Sequence, residues 1–273
     1  MRPILTLDSL PVQYWSVKLS NELSRTGVLA FLPVVIVQGR RVRRRVERLP
    51  DATGTSGQVG RGGDVLRVVV VGDSVAAGVG VSEHRDSMAG RLAEHIHRRS
   101  GRPVAWDVLA RSGADAEGVA ALVAGSTVLA RADAVAVSVG VNDVKNLRSD
   151  AAWRTGLRDL LAEIVRAAPA APVFLLGLPP IDRFPALPRP LADLLGARGR
   201  RMDRIGAQVA AGFDGVTRLE FTGDEVAAAR EPFASDGFHP GAALHDVLAR
   251  EITAQLTIPD LMRGPHSMRR TVR

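Results

Sequence analysis

Ser74, Asn142, Asp236 and His239 are residue types that together can carry out acyl chemistry, and each stands in a loop or directly after an apolar run. A serine hydroxyl is a poor nucleophile until a base takes its proton. The base needs a partner that fixes its tautomer, and the oxyanion formed at the attacked carbonyl needs hydrogen-bond donors. Ser74 ends the stretch Arg67-Val68-Val69-Val70-Val71-Gly72-Asp73-Ser74, where Gly72 lets the backbone turn so that the serine N–H can face a crevice. Asp236 and His239 are three residues apart in one loop, close enough for a carboxylate to accept from Nδ1–H while Nε2 faces a serine. Asn142 offers a side-chain N–H₂ after a second apolar run. Gly113, after a third, has no side chain to block its backbone N–H.

These residues need a scaffold that delivers strand ends to one place. Four β-branched residues in succession at 68–71, without polar alternation, suit a central strand covered on both faces. Further strands are expected at 104–110, 134–139, 173–178 and 216–219. Helices are expected at 85–100, 117–130, 151–168, 191–211 and 242–256, with no hairpin signal between them. That alternation predicts an α/β fold, a doubly wound and mostly parallel five-stranded sheet with helices on both faces. Open sheets of this kind bind ligands beyond the carboxyl ends of their strands. The stretch from Pro50 to Gly63 is rich in glycine and hydroxyl residues and reads as a linker. The chain thus divides into a basic, partly apolar extension with linker over 1–64, a catalytic body over 65–256 and a basic tail over 257–273.

The segments resemble the SGNH hydrolases, also called GDSL-type esterases and lipases. Gly72-Asp73-Ser74 matches the first block, with Val75 where leucine is usual, and Gly113 in Ser112-Gly113-Ala114-Asp115 corresponds to the glycine of the second. Gly140-Val141-Asn142-Asp143 matches the third block, and Asp236-Gly237-Phe238-His239 the last. The resemblance covers about residues 67–256. It implies a flavodoxin-like fold, with Ser74 as nucleophile, His239 as base, Asp236 as its orienter, and an oxyanion hole formed by Ser74 N–H, Gly113 N–H and the Asn142 amide. The asparagine often found just upstream of the second glycine is replaced by Ala110-Arg111. The implied reaction is hydrolysis of a small carboxylic ester or thioester through an acyl-enzyme, with no metal or cofactor. The same site would serve a carbohydrate O-deacetylase or an acyltransferase. A non-catalytic, membrane-associated binding protein is the reading from another class. Phe184, Leu187 and Phe238 are candidates to line an apolar site, which is expected to be built from the loops after Gly78, after Asn142 and at 179–190.

Taken singly, each block has a plain structural reading: a helix cap at Ser74, turns at Gly113 and Asn142, an Asx turn at Asp236. Other chemistries are excluded. The glycines from Gly72 to Gly80 fit neither a phosphate loop nor a dinucleotide fingerprint, and no Gly-x-Ser-x-Gly elbow is present. The chain has no cysteine, which removes thiolate catalysis and disulfides. His95 and His97, two apart on a helix, diverge and do not suit a metal pair, while His84, His245 and His266 read as surface or packing residues. Asp143 reads as a loop-holding residue.

The net charge of +7 belongs to the ends: residues 1–66 hold 10 Lys/Arg against 5 Asp/Glu, and residues 257–273 hold 4 against 1. Residues 67–256, with 22 against 23, do not suit a nucleic-acid surface. The apolar run Val28–Val37 is too short to span a bilayer, is interrupted by Pro33, and leads into arginines at 40, 41, 43, 44 and 45 rather than a cleavage site. The segment either packs on the protein or lies on the inner membrane face, its arginines meeting anionic lipid. The location expected is cytoplasmic, with or without that peripheral contact. Oligomeric state is not legible.

Overall fold

The computed structural model describes the backbone of residues 25–221 and 223–257, and the side chains of the same residues apart from 25–32, 225 and 228. His266 and the tail from 258 lie outside these. Residues 1–44 and 45–273 form separate compact units. In the first, helix α1 (Arg25–Arg45) contains Pro33, which costs one helical backbone hydrogen bond. Among the described residues no helix is long and apolar enough to cross a membrane.

The body is a six-stranded sheet of β1 (Ser56–Val59), β2 (Leu66–Gly72), β3 (Val104–Ala110), β4 (Ala134–Ser138), β5 (Val173–Leu176) and β6 (Val216–Leu219). Their spatial order is β1-β3-β2-β4-β5-β6, every pair being parallel except β1 with β3. The five expected strands are all present, in the doubly wound order in which the chain goes first to one side of β2 and then to the other. Val68, Val69, Val70 and Val71 are all buried, as a strand covered on both faces requires.

Alternate residues face different layers. Val68, Val70, Ala134, Ala136 and Phe174 join a core with Met88, Leu92 and Ile96 of α2 (Met88–Ser100) and Leu244, Leu248 and Ile252 of α8 (Ala242–Gln255). Each of these side chains other than the alanines contributes about 1.5–3 kcal/mol on burial. The remaining helices are α3 (Ala116–Val123), α4 (Val141–Lys145), α5 (Asp150–Ala167), α6 (Leu191–Ala210) and α7 (Asp224–Ala228). Trp153 of α5 donates its indole N–H to the Met202 carbonyl of α6 at 2.8 Å, locking those two together.

The sixth strand is the main departure from expectation. The stretch read as a linker holds β1, which has no apolar run because backbone pairing with β3 holds it at the sheet edge. A side chain at Gly57 would overlap the Trp106 indole, its Cβ falling 2.1 Å from Cζ2, so the glycine makes the close pairing feasible. Just before β1, Ala52 is buried and donates to the Ala77 carbonyl at 3.0 Å, while His84 N–H donates to the Thr53 carbonyl at 2.8 Å. Smaller differences have local causes. Helix α2 starts at Met88 rather than 85 because Ser87 caps it, accepting from Ala89 N–H. Helix α3 stops at Val123, and only a single 3₁₀ turn at Leu129–Arg131 continues the expected helix. The short helices α4 and α7 were not anticipated.

Candidate active site

The register of three neighbouring strands aligns the site. Gly72 at the end of β2 pairs with Ala110 of β3 on one side and Ser138 of β4 on the other. Ser74, Gly113 and Asn142 follow these residues by two, three and four positions, so they emerge side by side where the strand order reverses. Gly72 has φ 154°, and a Cβ there would lie 1.9 Å from the Ser138 carbonyl oxygen, so glycine alone lets the strand ends close. Asp73 N–H then donates to that carbonyl at 3.0 Å, and Arg111 N–H donates to the Gly72 carbonyl at 3.1 Å.

Ser74, His239 and Asp236 form a continuous hydrogen-bonded array. His239 Nδ1 lies 2.6 Å from Asp236 Oδ2, and Nε2 lies 3.1 Å from Ser74 Oγ. The carboxylate oxygen can only accept, so Nδ1 carries the hydrogen and Nε2 is left bare toward the serine hydroxyl. The Asp236 side chain is fully buried, and its Oδ1 accepts from Phe238 N–H at 2.9 Å and His239 N–H at 3.0 Å. Three N–H groups thus converge on one carboxylate. The loop is closed by Ala234 N–H donating to the His239 carbonyl at 2.8 Å and by a bridge between Phe233 and Pro240. Gly80 (φ 108°) packs behind it, where a Cβ would lie 2.3 Å from the Pro240 carbonyl oxygen.

Beside this array stand three donor groups. The N–H groups of Ser74 and Gly113 meet no acceptor among the described residues. Asn142 is buried and donates one Nδ2–H to the Ala114 carbonyl at 2.8 Å, which leaves its second N–H and braces the turn that carries Gly113. Asp143 Oδ2 accepts from Ala116 N–H at 3.0 Å, tying the same turn to α4, as its reading as a loop-holding residue anticipates.

Burial perturbs several ionisable groups around the serine. Desolvation pushes the Asp73 carboxyl up to about 7, against the hydrogen bond it accepts from Val75 N–H at 3.1 Å and the charge of Lys145. Desolvation likewise raises Asp143 to about 6, against its bond from Ala116. His245 is fully buried and pushed down to about 4, first by desolvation. Its Nδ1 accepts from Met88 N–H at 3.2 Å, so the hydrogen sits on Nε2. His84 is buried as well and lowered by desolvation. Its Nδ1 lies 3.0 Å from Ser87 Oγ, whose own hydrogen goes to the His84 carbonyl, so Nδ1 is the donor. Both histidines are core residues, so of the surface and packing readings it is packing that applies to them.

A cleft partly open to solvent adjoins the serine and histidine. Its walls are almost wholly apolar: Val139 and Val141 from the end of β4, Leu176 and Leu178 from the end of β5, and Leu244 and Leu248 from α8. Phe184, Phe233 and Phe238 stack edge to face beside it, with centroids 5.5 and 5.0 Å from Phe184. Phe184 and Phe238 were foreseen here. Leu187 is buried but does not line the cleft, and the loops after Gly78 and after Asn142 contribute nothing to it. The α8 residues were missed because, in sequence, they look like ordinary core positions. His95 and His97 hydrogen-bond to different groups, Asp246 at 2.8 Å and the Arg102 carbonyl at 2.6 Å. Among the described residues no three acidic or histidine side chains could hold a metal together.

Comparison with known proteins bears on the family and the fold. The profile of the GDSL-like lipase/acylhydrolase family matches residues 70–247. No curated protein matches the chain significantly. Among solved structures, a lipase from a goat rumen metagenome has 17% identity and a TM-score of 0.53, over 73% of this chain and 99% of that one. TesA has 22% identity and a TM-score of 0.53, over 72% and 98%. The acetyl xylan esterase AlAXEase has 12% identity and a TM-score of 0.55, over 70% and 100%. At such identities these likenesses speak to the fold alone.

Proposed function

The chain belongs to the GDSL-like lipase/acylhydrolase family, and on that footing we propose that it hydrolyses carboxylic esters through an acyl-enzyme on Ser74. The observation that carries this reading is His239 bridging Asp236 at 2.6 Å and Ser74 Oγ at 3.1 Å, with its bare Nε2 toward the hydroxyl. His239 takes the serine proton as Oγ attacks the acyl carbon. The carbonyl π electrons move to oxygen, and the oxyanion is received by Ser74 N–H, Gly113 N–H and the second Asn142 N–H. Collapse expels the alkoxide, which takes its proton from His239. Water then enters and gives a proton to the same nitrogen as its oxygen bonds to the acyl carbon; the bond to Ser74 Oγ breaks, Oγ recovers its proton from His239, and the carboxylic acid leaves.

The apolar cleft beside Ser74 and His239 supports a hydrocarbon acyl chain over a bare acetyl group, since it offers contact along a chain and few polar groups to orient a sugar. The test is turnover of p-nitrophenyl esters from acetate to palmitate, with fluorophosphonate labelling. Wild type should turn over with an optimum beyond acetate and label once, and Ser74→Ala should lose both. Turnover that survives in Ser74→Ala sinks the assignment, and an optimum at acetate sinks the acyl-chain reading.

A further inference from the structure

We propose, resting on the ester-hydrolase reading, that Asp51 is a positioning residue for the oxyanion hole, where it ties the turn of Gly113 to the loop of Ser74. Two of the three donors, the N–H groups of Ser74 and Gly113, come from separate loops after β2 and β3, so their spacing depends on what joins those loops. The turn of Gly113 is held at its base. Arg111 N–H donates to the Gly72 carbonyl at 3.1 Å, Asn142 donates to the Ala114 carbonyl, and Asp143 accepts from Ala116 N–H. Its tip, Ser112 and Gly113, is exposed. Among the described residues the tip makes a single hydrogen bond, from Ser112 Oγ to Asp51 Oδ1. A Cβ on Gly113 would meet nothing within 4 Å, so packing does not fix the tip either.

Asp51 can act as an anchor because the residues after it are fixed. Ala52 is buried and donates to the Ala77 carbonyl at 3.0 Å. Thr53 N–H donates to the Ser82 carbonyl at 3.0 Å, and the Thr53 carbonyl accepts from His84 N–H at 2.8 Å. The approach is close, since a Cβ on Gly78 would lie 2.7 Å from Ala52 Cβ. The partners lead back to the nucleophile: Ala77 N–H donates to the Asp73 carbonyl at 2.9 Å and Val79 N–H to the Ser74 carbonyl at 3.0 Å. A series of direct contacts thus runs from Ser74 through 77–79 and Ala52 to Asp51 and Ser112, the neighbour of Gly113. Residues 51–53 lie outside the stretch 70–247 that the family profile matches. Asp51 and Ser112 are both exposed, so changing either leaves stability nearly intact. The effect falls on the Gly113 N–H, and a misplacement of about 1 Å at a reacting group costs about a hundredfold in rate.

The test uses the full chain with its best p-nitrophenyl ester. Asp51→Ala and Ser112→Ala should each lower kcat by about tenfold to a hundredfold, with KM and melting temperature unchanged. Asp51→Asn keeps an oxygen to accept from Ser112 and should restore most of kcat. The double variant Asp51→Ala/Ser112→Ala should be no slower than either single one, because both remove the same bond. A boronic acid, whose adduct on Ser74 imitates the tetrahedral anion, should lose affinity for each alanine variant in proportion to kcat. Wild type that neither turns over nor labels with a fluorophosphonate overturns the hydrolase reading, and the role of Asp51 with it. With wild type active, alanine variants that keep the wild-type kcat, losses that multiply in the double variant, or a loss that follows melting temperature overturns the role of Asp51 alone.

Discussion

Replacing Asp236 by asparagine separates the chemistry of the site from its architecture. The Asp236 carboxylate accepts three hydrogen bonds, from Phe238 N–H and His239 N–H on Oδ1 and from His239 Nδ1–H on Oδ2. Asparagine keeps an oxygen for the two backbone donors and sets an N–H₂ against the imidazole. The ring must then take the other tautomer, with hydrogen on Nε2, and can no longer accept from Ser74. In serine proteases the equivalent change costs about 10⁴ in kcat, or about 5.5 kcal/mol of barrier. The same loss is expected here at pH 7, with KM nearly unchanged because the Asp236 side chain is fully buried. Stability should stay within about 1 kcal/mol of wild type, since the backbone bonds survive. Asp236→Ala is the contrasting variant. It strands two N–H groups at about 1–3 kcal/mol each and should therefore lose stability and activity together. The assay is kcat/KM on the best p-nitrophenyl ester, alongside thermal unfolding of both variants. Asp236→Asn turning over within tenfold of wild type, or losing activity only in step with its melting temperature, would refute the argument.

Three further outcomes follow from the same geometry. Burial raises the Asp73 carboxyl from 3.8 to about 7, so its contribution to stability is full below about pH 4 and is lost as pH rises through 7, a change of about 4 kcal/mol. Asp73→Asn should melt well above wild type at pH 8 and level with it near pH 4, and a pH-independent difference would count against this. His245 runs the other way. With its pKa lowered from 6.5 to about 4, its contribution is full above about pH 6.5 and is lost as pH falls toward 4, by about 3 kcal/mol. His245→Gln, which keeps an acceptor for Met88 N–H, should flatten that part of the melting curve against pH, and an unchanged slope would exclude His245 as its source. Gly80→Ala should push Pro240, and with it the adjoining His239, off its position. The cost in stability should be about 1–3 kcal/mol, with a clear fall in kcat and slower fluorophosphonate labelling; unaltered labelling would show that the loop does not depend on this contact.

Asp73, beside the serine, and Asp236, beside the histidine, explain why one part of this site is legible in the sequence and another is not. Residue types and order are legible because a buried parallel strand must be continuously apolar, so Val68–Val71 announce β2 and make Ser74 conspicuous at its end. The same reasoning finds Gly113 and Asn142 after β3 and β4. It fails for β1, whose alternation of exposed and half-buried positions is held by pairing and by the fit of Gly57 against Trp106, neither of which leaves an apolar pattern. It fails also for the cleft floor, because Leu244 and Leu248 lie on a helix that serves the core and the cleft at once. Between Asp73 and Asp236 the sequence offers no choice of charge state, since both are acids beside glycine in a family block. The structure distinguishes them by counting donors. Asp236 collects three N–H groups because its loop folds back over it. Asp73, also buried, accepts from Val75 N–H and faces Lys145, too little together to offset desolvation. A carboxylate's role here depends on how many N–H groups the backbone turns toward it, and that number belongs to the conformation of the loop rather than to the residue.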